Sequence, residues 1–136
     1  MGKKTDSYVD TSALISFRDR SDTYHPLFVQ LFSNPPTLWT TSLVVAEGHG
    51  WFLRRYDSPK ALQFMNFIED LKVLRIVNVG GKELREGTRL LKQFPDQSLT
   101  LADACGLWLM KQMKITTCWS TDRHLSLTGV PLVIYQ

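Results

Sequence analysis

The sequence contains few of the residues that build covalent or metal cross-links. Its only cysteines are Cys105 and Cys118, which form no Cys-x-x-Cys pair and no cysteine and histidine set with the spacing of metal ligands. This pattern offers neither a disulfide framework nor a cysteine-based zinc site, and it predicts two reduced, partly buried thiols.

Long apolar runs are also absent. No run approaches the roughly 20 residues of a membrane-spanning helix. Lys3 and Lys4 are followed by polar residues, where a signal peptide would have an apolar segment. We therefore expect a cytoplasmic protein with no membrane partner.

The composition is that of a soluble globular chain. Of its 136 residues, 43% are hydrophobic and 21% are charged, so disorder is not expected. There is no repeat, low-complexity tract or linker, and this length can bury a core without cross-links, so residues 1–136 are predicted to form a single domain. A formal charge of +3 weakly favours polyanionic partners such as RNA.

Short apolar segments alternate along the chain with longer stretches of helical period. Strands separated by helical crossovers indicate a mostly parallel sheet, so the predicted fold is a three-layer α/β/α sandwich. Asp22 and Ser42 are expected to cap helices. The predicted strands cover residues 7–9, 38–40, 74–79, 116–119 and 130–134, and the predicted helices cover residues 12–18, 22–32, 42–56, 60–71, 84–94 and 101–113.

Four acidic residues fall at compatible points of this pattern. Asp10 follows the first strand and Asp122 follows the fourth, whereas Glu47 and Asp103 lie early in helices. In parallel sheets, sites form outside the carboxyl ends of the strands. Carboxylates gathered there would repel one another unless a cation joined them, and oxygen ligands suit Mg²⁺ or Mn²⁺. The sequence thus predicts a metal site.

Each acid also has a purely structural interpretation. Asp10 can cap the first helix, and Thr100 with Asp103 matches a capping box. Asp122 can start a turn or cap the short segment before Gly129. Glu47 is the hardest to explain in this way, because Leu43 and Trp51 lie on the same helical line and predict a largely inward-facing stripe.

The segments YVDTSAL, TTSLVVAE, FPDQSLTLADA and WSTDRHLSLTGVPLV resemble the PIN domains, and within them the VapC-type toxins of bacterial toxin-antitoxin pairs. The resemblance extends over nearly the whole chain. The chain departs from the family at Gly48 and Gly50, which are expected to loosen the helix that carries Glu47. The acids of the family fall on Asp10, Glu47, Asp103 and Asp122, and its small hydroxyl falls on Thr11 or Ser12.

The resemblance implies a Mg²⁺- or Mn²⁺-dependent endoribonuclease. Its catalytic and metal-binding residues would be the four acids, with Asp10 and Asp103 as the principal ligands. Thr11 or Ser12 would bond a metal-bound water or a phosphate oxygen, although helix capping explains them equally well. Arg123 and His124 are the best candidates for RNA phosphate contacts. The implied partners are the RNA substrate, a small VapB-like antitoxin and a second copy in a homodimer.

Two other classes of protein remain as alternatives. One is a non-catalytic PIN-like protein that binds RNA or assembles with partners. The other is a different α/β module, either a phosphoryl-transfer hydrolase or a receiver domain. The hydrolase requires an acid where Ser12 stands, and the receiver requires an aspartate where Gly80 and Gly81 stand.

Overall fold

A parallel sheet of four strands forms the centre of the fold. The computed structural model describes residues 5–136 and places the strands in the spatial order β3, β2, β1, β4. Every pairing is parallel. This arrangement confirms the predicted three-layer α/β/α fold. The strands are β1 (Ser7–Val9), β2 (Leu38–Thr41), β3 (Leu74–Val77) and β4 (Cys118–Trp119).

In the described residues, six α-helices cover the sheet in two groups. The first four helices pack with one another, and the last two pack together. Short 3₁₀ helices cover Pro95–Gln97, Arg123–Ser126 and Val133–Tyr135. Within residues 5–136, no helix is long and apolar enough to cross a membrane. The α-helices are α1 (Thr11–Arg18), α2 (His25–Phe32), α3 (Ser42–Arg55), α4 (Ser58–Asp70), α5 (Gly81–Gln93) and α6 (Leu101–Gln112).

The core lies around β1 and α6. Tyr8 and Val9 of β1 are fully buried, and most of α6 is buried on all sides. A helix that is apolar around its whole circumference belongs in the interior. Cys105 and Cys118 are free, as predicted, and they are buried more completely than the sequence indicated. Because α6 is internal, the acid in its first turn is held beneath the surface.

Two predicted helix caps are wrong. Helix α2 begins at His25, and Asp22 instead accepts the N–H of Tyr24 at 2.8 Å in the preceding turn. Thr41 caps α3 through its hydroxyl, whereas the Ser42 hydroxyl accepts the N–H of Val79 at 3.0 Å. Both residues thus satisfy backbone donors in neighbouring loops, which short-range sequence patterns do not distinguish from capping.

The predicted fifth strand is wrong as well. Only a single bridge joins Cys118 to Leu132, and the chain then turns into the last 3₁₀ helix. Pro131 accepts a bond from the Cys118 N–H at 3.1 Å but has no N–H of its own. A proline cannot donate to a ladder, so the pairing does not extend through it.

Gly48 sets the distance between α3 and α4. It is buried, and a Cβ at this position would overlap the ring of Phe64. The glycine therefore allows close packing of the two helices. This finding corrects the expectation that Gly48 merely loosens α3, because the contact with α4 holds this part of the helix in place.

Candidate metal-binding site

The site lies where the chain leaves β1 and β4. These strands are neighbours, and the Asp10 N–H donates to the Trp119 carbonyl at 2.9 Å. Strands β2 and β3 extend the sheet on one side of β1, and β4 lies on its other side, so the strand order reverses its direction at β1. This is the point of a parallel sheet where ligands bind.

Asp10 is 5% exposed and occupies the N-cap position of α1 without capping it through its side chain. Its Oδ2 accepts hydrogen bonds at 3.0 Å from the hydroxyls of both Ser12 and Ser120. Burial, with a further contribution from the charge of Asp103, raises the pKa of Asp10 to about 6. The ionised carboxylate is therefore held at a free-energy cost that a nearby cation would relieve.

Ser120 is a functional candidate that the sequence reasoning missed. Its hydroxyl is completely buried, lies 3.1 Å from the Ser12 hydroxyl and accepts the Asp122 N–H at 2.9 Å. Ser12 in turn accepts the Thr121 N–H at 3.0 Å. The two serines thereby tie Asp10 to the turn that carries Asp122. The available signal was the position of Ser120, two residues before that acid.

Glu47 lies at the rim of the site. Its side chain is exposed, so the predicted inward-facing stripe is wrong, and Leu43 and Trp51 are only half-buried. The Thr11 hydroxyl donates to Glu47 Oε1 at 2.8 Å. Partial burial raises the pKa of Glu47, the bond from Thr11 lowers it, and the charges of two nearby aspartates raise it further. Thr11 thus positions the glutamate and does not cap α1.

Asp103 has the capping role that the sequence allowed. Its Oδ2 accepts the Thr100 N–H at 3.1 Å, and its own N–H donates to the Thr100 hydroxyl at 3.0 Å. The same carboxylate lies close to Asp122 and His124, and burial together with the charge of Asp122 raises its pKa. A carboxylate has about four acceptor positions, so capping and metal binding are compatible.

Asp122, the fourth acid of the site, lies beside His124. Asp122 Oδ1 accepts the His124 N–H at 3.0 Å and lies 3.1 Å from His124 Nδ1. His124 Nδ1 is also 3.9 Å from Asp103 Oδ2. The imidazole therefore faces the acids, whereas Arg123 is exposed. Atoms of Asp103, Asp122 and His124 all lie within 4.8 Å of one another.

The charges of this cluster fit a divalent cation. Within residues 5–136, no lysine or arginine forms an ion pair with any of the four carboxylates, and the basic side chain beside them is His124, whose Nδ1 lies 3.1 Å from Asp122 and 3.9 Å from Asp103. Burial and mutual repulsion raise the pKa of Asp10, Glu47 and Asp103. Oxygen donors at this density are the usual environment of Mg²⁺ or Mn²⁺.

A separate cavity of about 770 Å³ opens between the ends of α1 and α3 and the starts of α2 and α4. Arg18, Arg20 and Lys60 line it together with Phe52 and Tyr56, and none of the four carboxylates does. These cations therefore belong to a different surface from the acidic cluster.

Comparison with known proteins identifies the family. The family model of the PIN domain matches residues 7–130, which is most of the chain. The protein therefore belongs to the PIN-domain family, as the resemblance predicted. No curated protein matches the sequence.

Solved structures share the fold at low sequence identity. The VapC20 toxin of Mycobacterium tuberculosis, described as cleaving the sarcin-ricin loop, superposes with a TM-score of 0.83 at 21% identity over 92% of this chain and 96% of its own. A toxin-antitoxin complex from Klebsiella pneumoniae gives 0.63 at 16% identity, covering 93% and 95% of the two chains. VapBC2 of Rickettsia felis, bound to a DNA fragment from its promoter, gives 0.61 at 12% identity, covering 94% and 97%.

Proposed function

We propose that this protein is a Mg²⁺- or Mn²⁺-dependent endoribonuclease and the toxin of a toxin-antitoxin pair. The observation that carries the proposal is an acidic cluster in which ligand atoms of Asp103, Asp122 and His124 lie within 4.8 Å of one another and the charge of Asp103 acts on Asp10 and Glu47. No lysine or arginine is paired with these carboxylates within residues 5–136. Membership of the PIN-domain family and the fold shared with VapC20 support it.

Asp10 and Asp103 would hold the ion, and Asp122 and Glu47 would complete the cluster. When bound, the ion supplies positive charge to the phosphate and lowers the pKa of a water molecule. Ser12 and Ser120 keep Asp10 Oδ2 in a fixed position, so the site needs little rearrangement to bind a cation. This division places the most restrained carboxylates closest to the ion.

Glu47 is suited to accept a proton from the attacking water. Its pKa is raised and its side chain is accessible at the rim, while the bond from Thr11 fixes its direction. A general base works best when its pKa approaches the working pH. Arg123, exposed on the turn after the cluster, is the remaining candidate for contact with RNA phosphates, because His124 faces the acids.

The test is RNA cleavage by the purified chain in the presence of Mg²⁺ or Mn²⁺, with chelator as the first control. We expect chelator to stop cleavage, and Asp10→Asn and Asp103→Asn to abolish it while circular dichroism shows an intact fold. Asp96→Asn is the matched control, since it removes the same charge from an exposed 3₁₀ helix. Wild-type cleavage by either site variant would contradict the proposal, and RNA binding without any cleavage would favour the non-catalytic alternative.

The partner proposal rests on the toxin-antitoxin complexes that share the fold. We expect a small VapB-like antitoxin, encoded beside this gene, to form a stable complex with the chain and to suppress its cleavage of RNA.

Chromatography with light scattering of the isolated chain tests the predicted homodimer. A monomer at micromolar concentration would contradict that part of the proposal alone.

A further inference from the structure

We infer that His124 is a direct nitrogen ligand of the bound metal ion, together with Asp103 and Asp122, and that it makes the site prefer Mn²⁺ to Mg²⁺. This inference rests on the proposed metal dependence and extends it. The sequence pattern suggested a different role for this residue, a contact with RNA phosphates. The structure instead turns its ring toward two carboxylates.

The distances match the edges of one coordination shell. Ligand atoms about 2.1 Å from an octahedral ion lie about 3.0 Å apart when adjacent and about 4.2 Å apart when opposed. His124 Nδ1 lies 3.1 Å from Asp122 Oδ1 and 3.9 Å from Asp103 Oδ2. Both separations fall within this range, and the ligand atoms of all three residues lie within 4.8 Å of one another. Side-chain movement that draws the two carboxylates toward each other would bring all three atoms into contact with a single ion.

The backbone holds the imidazole in this place. Asp122 Oδ1 accepts the His124 N–H at 3.0 Å and so caps the 3₁₀ helix Arg123–Ser126 at its start. The next residue, Leu125, is completely buried and anchors the turn in the core. The local fold therefore places the His124 ring next to Asp103 and Asp122, and its position does not depend on a flexible surface loop.

An imidazole ligand has a chemical consequence. Mg²⁺ binds oxygen ligands almost exclusively and keeps much of its water, whereas imidazole suits first-row transition metals. A shell with one nitrogen and several carboxylate oxygens should therefore discriminate in favour of Mn²⁺. The competing explanation is that His124 only contacts Asp122 and is displaced when the ion binds.

The two explanations differ in the spectrum of bound Mn²⁺. We expect electron spin echo modulation of Mn²⁺ on the full-length wild-type chain at pH 7.5 to show coupling to a directly bound ¹⁴N nucleus. This coupling should be absent in His124→Asn, because an asparagine side chain binds metal through oxygen. The same substitution should weaken Mn²⁺ affinity about 10-fold or more. Affinity for Mg²⁺, measured by competition, should change much less.

Two controls separate a ligand from general effects. His49→Asn removes a different histidine, which lies in α3 two residues after Glu47, and this variant should retain the ¹⁴N coupling. Arg123→Ala removes an exposed cation from the same turn and should not reduce the preference for Mn²⁺. Circular dichroism of each variant checks the fold.

The outcomes distinguish this inference from the proposed function. Mn²⁺ that binds the wild type without ¹⁴N coupling, or that keeps its coupling in His124→Asn, would overturn the role of His124. If Asp10→Asn nevertheless fails to bind the Mn²⁺ that the wild type binds, the proposed metal-dependent function stands. A wild-type chain that binds no Mn²⁺ at millimolar concentration would overturn both proposals.

Discussion

Replacing Asp10 by asparagine should stabilise the metal-free protein at neutral pH. The carboxylate is 5% exposed and its charge adds to that of Asp103. Asparagine has the same size, and its amide oxygen can still accept hydrogen bonds from the hydroxyls of Ser12 and Ser120. The substitution therefore removes a buried negative charge with little change in packing.

The magnitude follows from the pKa. Burial is the main cause that raises the pKa of Asp10 from 3.8 to about 6. A shift of about 2 units at about 1.4 kcal/mol per unit corresponds to about 3 kcal/mol at neutral pH. This value already includes the hydrogen bonds from Ser12 and Ser120, which favour the ionised form. We therefore expect Asp10→Asn to raise the free energy of unfolding by about 3 kcal/mol.

The raised pKa of Asp10 also determines how the stability difference between the wild type and Asp10→Asn changes with pH. Because the folded pKa lies above the unfolded one, the folded wild type binds more protons than the unfolded chain between these two values. Its stability therefore falls as the pH rises from 3.8 to about 6, and the full penalty is present above that window. The variant has no such group at this position. Its advantage should be present at pH 7.5 and should disappear near pH 4.

Urea unfolding in chelator, followed by circular dichroism at both pH values, measures this difference. Asp96→Asn, which removes an exposed charge, serves as the matched control. Added Mn²⁺ should raise the melting temperature of the wild type and leave that of Asp10→Asn unchanged. A variant that is no more stable than the wild type at pH 7.5, or one with the same advantage at both pH values, would refute the reasoning.

Two further predictions concern the packing of α3 and the ends of α1 and α3. Gly48→Ala should lower the free energy of unfolding by about 1–3 kcal/mol, because the new Cβ overlaps the Phe64 ring. Gly50→Ala is its matched control: that Cβ would face only the end of a flexible arginine side chain, so urea unfolding should show no loss or a gain of up to about 1 kcal/mol. Burial raises the pKa of Asp19, but hydrogen bonds, including one at 3.1 Å from the Tyr56 hydroxyl, lower it overall. Tyr56→Phe should therefore reduce the free energy of unfolding by about 1 kcal/mol at pH 7. The loss should be smaller at pH 3. The ionised Asp19 stabilises the fold above its unfolded pKa, and this stabilisation disappears as the pH falls through the lower folded pKa. An equal loss at both pH values would contradict this role of the carboxylate.

The sequence predicted the sheet and the position of the candidate site for the same reason. Alternating strands and helical crossovers require a parallel sheet, and parallel strands place all their carboxyl ends at one edge. Asp10 and Asp122 follow two such strands, so their approach could be predicted without knowledge of any contact. Their action as metal ligands stays a prediction.

The parts that were not predicted depend on tertiary contacts. A helical stripe shows that Glu47 shares a face with Leu43 and Trp51, but it does not show where that face meets solvent. The direction of His124 depends on the 3₁₀ helix after Asp122, and periodicity does not identify so short an element. The last strand was wrong because Pro131 has no N–H to donate before the single bridge at Leu132, and a 3₁₀ helix begins directly after it.

The capping and metal-binding interpretations of Asp103 and Asp122 are not alternatives. Each carboxylate accepts a backbone N–H, at 3.1 Å for Asp103 and 3.0 Å for Asp122, and these bonds fix its orientation before any ion binds. Alanine at either position would remove the cap and the charge together, so a loss of activity would not separate the two roles. Asparagine keeps an oxygen acceptor for the cap and removes only the charge. A folded Asp103→Asn variant without cleavage would therefore assign the loss to the metal site.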